Sequence, residues 1–142
     1  MRCATGMQVA LLVMLAACAT TEVETLKAPA VAHNRDFVGG ELQTGRPGKS
    51  TLIIKRDRGV QGLACYLRIL VDEMPVADLD RGEKVVLHPD PGDHVLGVSP
   101  TSGVCGGGYA GATASLVAGQ TATFRVGFGF GIGNVFLQGT DS

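Results

Sequence analysis

The chain has no cluster of basic residues. Lys and Arg total 12 against 13 Asp and Glu, for a formal net charge of −1 at pH 7. Nothing in that balance draws the protein to a phosphate backbone, so nucleic-acid binding is excluded. An apolar run long enough to cross a bilayer is also missing: the stretch from Met7 to Leu15 is broken by Gln8 and falls short of the about 20 residues a spanning helix needs. No Cys-x-x-Cys pair occurs, which leaves neither a redox motif nor a zinc-binding spacing. Cys105-Gly106-Gly107-Gly108 is not followed by Lys-Ser/Thr, as a phosphate-cradling loop would be. Ser99, Ser102 and Ser115 lack a G-x-S-x-G frame, so no nucleophile elbow is signalled. With these signatures gone, no catalytic residue and no cofactor is expected.

What the chain does have begins at its N-terminal end. Arg2 supplies a positive segment, Met7 to Leu15 an apolar one, and small residues follow; that is the layout of a secretory leader. Leu15-Ala16-Ala17-Cys18 then resembles the lipobox of bacterial lipoprotein precursors at every place. In that family the cysteine thiol is diacylated, a dedicated peptidase cuts just before it, and the new amine is usually acylated as well. The resemblance implies a signal peptide over residues 1–17 and palmitate-type lipidation of Cys18. It also implies a membrane partner reached through that lipid. One acyl chain binds a bilayer reversibly, while two or three hold firmly. Ala19, rather than Asp, follows the cysteine, which in resembling enterobacterial lipoproteins goes with the outer membrane, facing the periplasm. Ala17-Cys18-Ala19 also reads as an ordinary Ala-x-Ala site whose cleavage releases a soluble periplasmic protein; a cysteine at this point favours the lipid.

Of the four cysteines, Cys3 leaves with the leader and Cys18 is consumed by lipid on this reading. Cys65 and Cys105 remain as one pair, and an oxidising periplasm favours a disulfide between them.

Residues 18–49 mix Thr, Glu, Ala, Pro and Gly with few large apolar side chains, too few to offset the entropy of ordering the segment. They read as a flexible tether with a root-mean-square reach of about 30 Å. Phe37-Val38 and Leu42 are the exceptions, suited to a short edge strand, and Leu26 and its neighbours suit a helical turn.

The pattern changes in residues 50–140. Short β-prone runs alternate there with Gly, Pro and Asp about every 8–12 residues, an all-β pattern. Runs begin at Thr51, Ala64, Val76, Lys84, His94, Ala112 and Thr121, and Val135-Phe136-Leu137 closes the domain. Strand alternation puts Cys65, Leu67, Ile69 and Val71 on one apolar face. About seven strands bury their faces best as a two-layer β-sandwich. Ile69-Leu70-Val71-Asp72, Pro91-Gly92-Asp93-His94 and the hairpin Val117-Ala118-Gly119-Gln120-Thr121 resemble a recurrent module of small extracytoplasmic bacterial proteins, whose first part PEGA-type domains share. Glu73 stands where that module has Gly. The resemblance implies a small Ig-like or transthyretin-like sandwich and brings no catalytic residues.

Two stretches invite functional readings. His88, Asp90, Asp93 and His94 lie within seven residues and are ligand types that a zinc ion prefers. Two prolines stiffen the same turn, so hydrogen bonding within a hairpin accounts for them better, and no metal site is expected. In the second stretch Phe124, Val126, Phe128, Phe130 and Ile132 alternate with Arg125, Gly127, Gly129, Gly131 and Gly133. That pattern fits a core strand with a bare outer face open to a close neighbour; a groove for a partner strand or glycan, or a membrane-inserting oligomer strand, is the functional alternative. The sequence therefore points to a non-enzymatic envelope lipoprotein whose sandwich binds a protein or glycan partner or lends structural support. A metal-assisted hydrolase built on the His88–His94 turn is the rival, and an envelope enzyme inhibitor or glycan-binding module the sharper version of the first.

Overall fold

A computed structural model describes residues 20–131 and 133–140 of the chain. The leader, Cys3, Cys18 and Ile132 lie outside the described residues. Eight strands form two four-stranded sheets. They are β1 (Thr51–Arg56), β2 (Leu67–Val71), β3 (Met74–Leu79), β4 (Lys84–Leu87), β5 (Gly92–Pro100), β6 (Ala110–Leu116), β7 (Thr121–Phe128) and β8 (Val135–Thr140). One sheet runs β4-β1-β7-β8 and the other β3-β2-β5-β6. All neighbours are antiparallel except β1 and β7, which pair in parallel. The architecture is the expected all-β sandwich. Eight strands form where about seven were expected, because Val135–Thr140 is a full edge strand paired along β7.

Alternation decides which side chains enter the core. Leu52 and Ile54 of β1, Leu67 and Ile69 of β2, Leu96 and Val98 of β5, and Val126 of β7 are completely buried between the sheets. Cys65 is buried with the apolar face of β2, as its spacing required. Arg56 occupies the next inward position of β1 after Ile54, and its guanidinium is enclosed. It donates to the carbonyls of Cys65 and Leu79 at 2.8 Å and of Gly62 at 3.0 Å, with the Phe128 ring centroid 5.5 Å away.

The two-residue loop Asp72-Glu73 joins β2 to β3 with both residues at positive φ, 50° and 68°. That is the backbone sense that matches the twist of a tight hairpin. Asp tolerates it well; Glu, standing where the resembling module has Gly, does not. Strand β3 starts directly at Met74, so Met74-Pro75 belongs to the strand and not to the turn.

The segment read as a tether does something different. Residues 20–49 lie across the sandwich instead of hanging free. Thr21 pairs with Arg58, Ala30 with Lys84 and Asp36 with Ala77 as isolated β-bridges, so the segment passes from the edge of β4 in one sheet to the edge of β3 in the other. Val23, Ala28 and Val31 are buried. Lys55, which points outward from β1, is covered by the segment and donates to the Val23 carbonyl and to Glu22, both at 2.8 Å. Arg35 forks onto the Glu83 carboxylate at 2.5 and 2.7 Å, donates to the Asp78 carbonyl and stacks on Tyr66. Two short 3-10 helices, His33–Arg35 and Gly40–Leu42, shape its course. The physical reason is edge closure: strands β3 and β4 expose unpaired backbone groups, and the segment's own backbone satisfies several of them. Val31 N donates to Lys84 O at 2.8 Å, Lys84 N to Pro29 O at 2.9 Å and Phe37 N to Val76 O at 3.0 Å.

The bare face of β7 is also filled. Gly127 pairs with Phe136 of β8, and a Cβ on Gly127 would lie 2.9 Å from the Phe136 ring. Glycine there lets the ring lie flat over the strand. The Arg125 guanidinium lies over that ring, 5.3 Å from its centroid, and binds the fully enclosed Asp57 carboxylate. The close neighbour of the bare face is thus the adjacent strand. Alternation stops at Phe128, where the chain turns, and Phe130 is exposed.

Candidate functional site

The ends of the sandwich differ in chemistry. One end gathers the starts of β1, β5 and β7 with the β2–β3 turn, and it holds the residues proposed as metal ligands from the sequence. His94 opens β5 against the β2–β3 turn, where its Nδ1 lies 2.7 Å from Asp72 Oδ2 and its Nε2 2.8 Å from the Asp90 carbonyl. Both partners are acceptors, an arrangement that favours the doubly protonated ring. Burial works against that proton, but the Asp72 hydrogen bond, the Asp90 carbonyl and the two carboxylate charges outweigh it, and the His94 pKa is raised. Asp72 is held below the usual carboxylate range, by the His94 hydrogen bond first and the Val95 amide second.

The other candidates part company. Asp90 pairs with Lys49 at 2.7 Å and Asp93 accepts from the Ser115 hydroxyl at 2.6 Å. His88 lies 3.3 Å from Thr51 Oγ1 on the other sheet. Among the described residues no group of three His, Cys, Asp or Glu side chains is placed to hold a metal ion. Both His94 ring nitrogens are already engaged, by Asp72 and by the Asp90 carbonyl. These residues shape a hairpin end, and the shallow cleft they border, about 220 Å³, is walled by Val38, Leu42, Val71 and Met74 beside Lys49 and His94. The sequence missed Asp72 as the partner of His94. The tight Val71-Asp72-Glu73-Met74 hairpin, adjacent to β5 in the sheet, was the signal that could have linked them.

The His94–Asp72 pair makes stability depend on pH. The raised His94 pKa contributes stability that is complete below its unfolded value of about 6.5 and is lost as pH rises through the folded value. The lowered Asp72 pKa contributes above about 3.9 and is lost as pH falls through its folded value. Asp72 is more than half exposed, so the pair is worth only about 0.5 kcal/mol. Urea unfolding of wild type and His94→Gln between pH 4 and 9 is expected to show a gap widest near pH 5–6 that closes on the alkaline side. A gap that grows above neutrality contradicts the assignment.

The opposite end holds the disulfide. Cys65, just before β2, is joined to Cys105, which ends the short 3-10 helix Gly103–Cys105, with Cα atoms 6.3 Å apart. The pairing is the one expected from the sequence. Three loops converge there. A cleft of about 340 Å³ is bordered by Leu63 of the β1–β2 loop, Val104 of the β5–β6 loop and Gly131 of the β7–β8 loop. A smaller one of about 80 Å³ brings Thr20 against Gln61 and Phe130. Gly62 is required in this region, because at φ 71° its missing Cβ leaves space that the Phe128 ring occupies.

Among the described residues no helix is long and apolar enough to cross a membrane. Comparison of the chain with protein-family models and with curated proteins finds no match in either.

Proposed function

We propose that the protein is a non-enzymatic lipoprotein of the cell envelope, anchored by acyl chains on Cys18 and presenting its sandwich at the outer membrane, on the periplasmic side. There it serves as a binding module for a protein or glycan, or as structural support. The observation that carries the reading is Leu15-Ala16-Ala17-Cys18 placed directly after an apolar leader. The Cys65–Cys105 disulfide supports it, since such bonds persist in oxidising compartments. The hydrolase alternative loses its footing because His88 and His94 are engaged in separate hydrogen bonds.

The test is fractionation of a bacterial host expressing the full chain. Wild type is expected in the membrane fraction, labelled by radioactive palmitate, and Cys18→Ser in the soluble fraction without label. Each buried methylene adds about 0.8 kcal/mol of membrane affinity, so losing two or three chains leaves no intermediate distribution. A Cys18→Ser variant that stays with the membrane as fully as wild type refutes the anchor.

A further inference from the structure

We infer that the disulfide end of the sandwich lies directly on the lipid surface that the Cys18 acyl chains enter; this rests on the anchor proposed above. Three stretches meet at this end, residues 59–66 (the β1–β2 loop after Asp57 and Arg58), 101–109 and 129–134, and they contain no Asp, Glu, Lys or Arg. Their described tips are apolar and open to solvent: Val104 is 85% exposed, Phe130 77% and Val60 61%, with Leu63 also exposed. Exposed apolar groups gathered at one end of a small domain mark a contact surface. At the far ends of the same strands the exposed Met74 and Val117 stand among the charges of Lys49, Asp72, Glu73, Asp90 and Asp93, which suit water better than lipid. The charges at this end are Asp57, neutralised by Arg125 of β7, Arg58, and those of the β3–β4 corner. Glu83 there is neutralised by Arg35, and Arg81 donates to the Gly59 carbonyl at 3.0 Å.

The occupant is decided by where the described chain starts. Thr20 packs on Gly59, where an added Cβ would lie 3.2 Å from its Cα, and borders one small cleft with Gln61 and Phe130 at this very end, and Thr21 is fixed by exchanging backbone hydrogen bonds with Arg58 at 2.6 and 2.8 Å. Cys18 precedes Thr20 by two residues, so their α-carbons are at most about 7 Å apart. A free tether of residues 18–49 would let the domain tumble about 30 Å from the bilayer. With residues 20–31 bound to the sandwich, the link to the acyl chains is too short for that. The apolar loop tips are therefore brought to the headgroup and acyl boundary by covalent geometry, where Val, Leu and Phe side chains are favoured.

The chain contains no tryptophan, so single tryptophans report without background. Val104→Trp, Phe130→Trp and, at the charged end, Val117→Trp replace exposed side chains. Each variant is purified in acylated form and placed in phosphatidylethanolamine–phosphatidylglycerol vesicles containing lipids brominated on their acyl chains. Tryptophan at 104 and 130 is expected to shift to the blue and lose most of its emission to the bromines, while tryptophan at 117 keeps its own. Vesicle-bound, acylated protein in which no position, or every position equally, is quenched overturns the inference and leaves the anchor standing. Protein found by mass to lack acyl chains on Cys18 overturns both.

Discussion

Replacing Arg56 with Ala is expected to cost about 4 kcal/mol of folding stability, the largest effect of any single substitution considered. Its guanidinium is enclosed and serves three carbonyls, those of Cys65, Leu79 and Gly62, drawn from the β1–β2 loop and the end of β3. Burial pushes its pKa down to about 10, with the nearby acidic Asp80 and Glu83 recovering only part of the loss. The side chain thus remains protonated at neutral pH, and the charge itself is a cost. Its value is the fork of donors, because each carbonyl left buried without one costs about 1–3 kcal/mol. The aliphatic stem adds packing between the sheets. A domain of this size has about 5–15 kcal/mol in all, so Arg56→Ala is left near the edge of folding. Arg56→Lys keeps the charge but cannot reach three carbonyls in one plane, and it is expected to recover less than half. Urea midpoints that fall with an unchanged slope are the readout; an Arg56→Ala variant within about 1 kcal/mol of wild type contradicts the role given to the fork.

The second large effect belongs to the disulfide. Cys65 and Cys105 are 40 residues apart, and the chain-entropy model assigns a loop of that length about 4 kcal/mol. The double variant Cys65→Ser, Cys105→Ser is expected to lose about 3 kcal/mol. Its urea slope is also expected to steepen, because the unfolded chain expands once the cross-link is gone. Loss is expected to be local as well: besides this bond the glycine-rich loop around Cys105 is held by the Thr101 amide on the Tyr66 carbonyl and by the approach of Gly108 to Gly133, so limited proteolysis of the variant should cut first between residues 101 and 109. Equal stability of the two forms, or first cleavage elsewhere, contradicts the placement of the bond in the account.

The strands were legible because their information is local. Leu67, Ile69 and Val71 alternate with polar or half-covered neighbours, and the same period carried Cys65 onto the buried face beside its partner loop. The course of residues 20–49 was not legible, for the opposite reason. Its composition is that of a disordered linker, and its order comes from partners distant in sequence: the open edges of β3 and β4, Lys55 beneath Val23, and Glu83 gripping Arg35. No window of the segment contains those partners. Arg56 was hidden in the same way, since a basic residue ending an apolar run reads as the solvent-facing end of a strand. The alternation of Leu52 and Ile54 puts it inward, and the enclosing carbonyls show what holds it there.

The candidate site divides along the same line. His88, Asp90, Asp93 and His94 are close in sequence, yet a strand and a proline-stiffened turn send them to different partners, and proximity along the chain did not become convergence in space. The absence of charge in the loops 59–66, 101–109 and 129–134 was fully present in the sequence. Its meaning emerged only when the fold brought those loops to one end and Thr20 beside them.

The central claim is a covalent one, and the intact mass of the protein extracted from membranes tests it most directly. The expected mass is that of a chain that begins at Cys18, carries a diacylglyceryl group on the sulfur and an acyl group on the amine, and retains the Cys65–Cys105 bond. A chain that begins at Thr20 without lipid, or one that keeps residues 1–17 with free thiols, contradicts it.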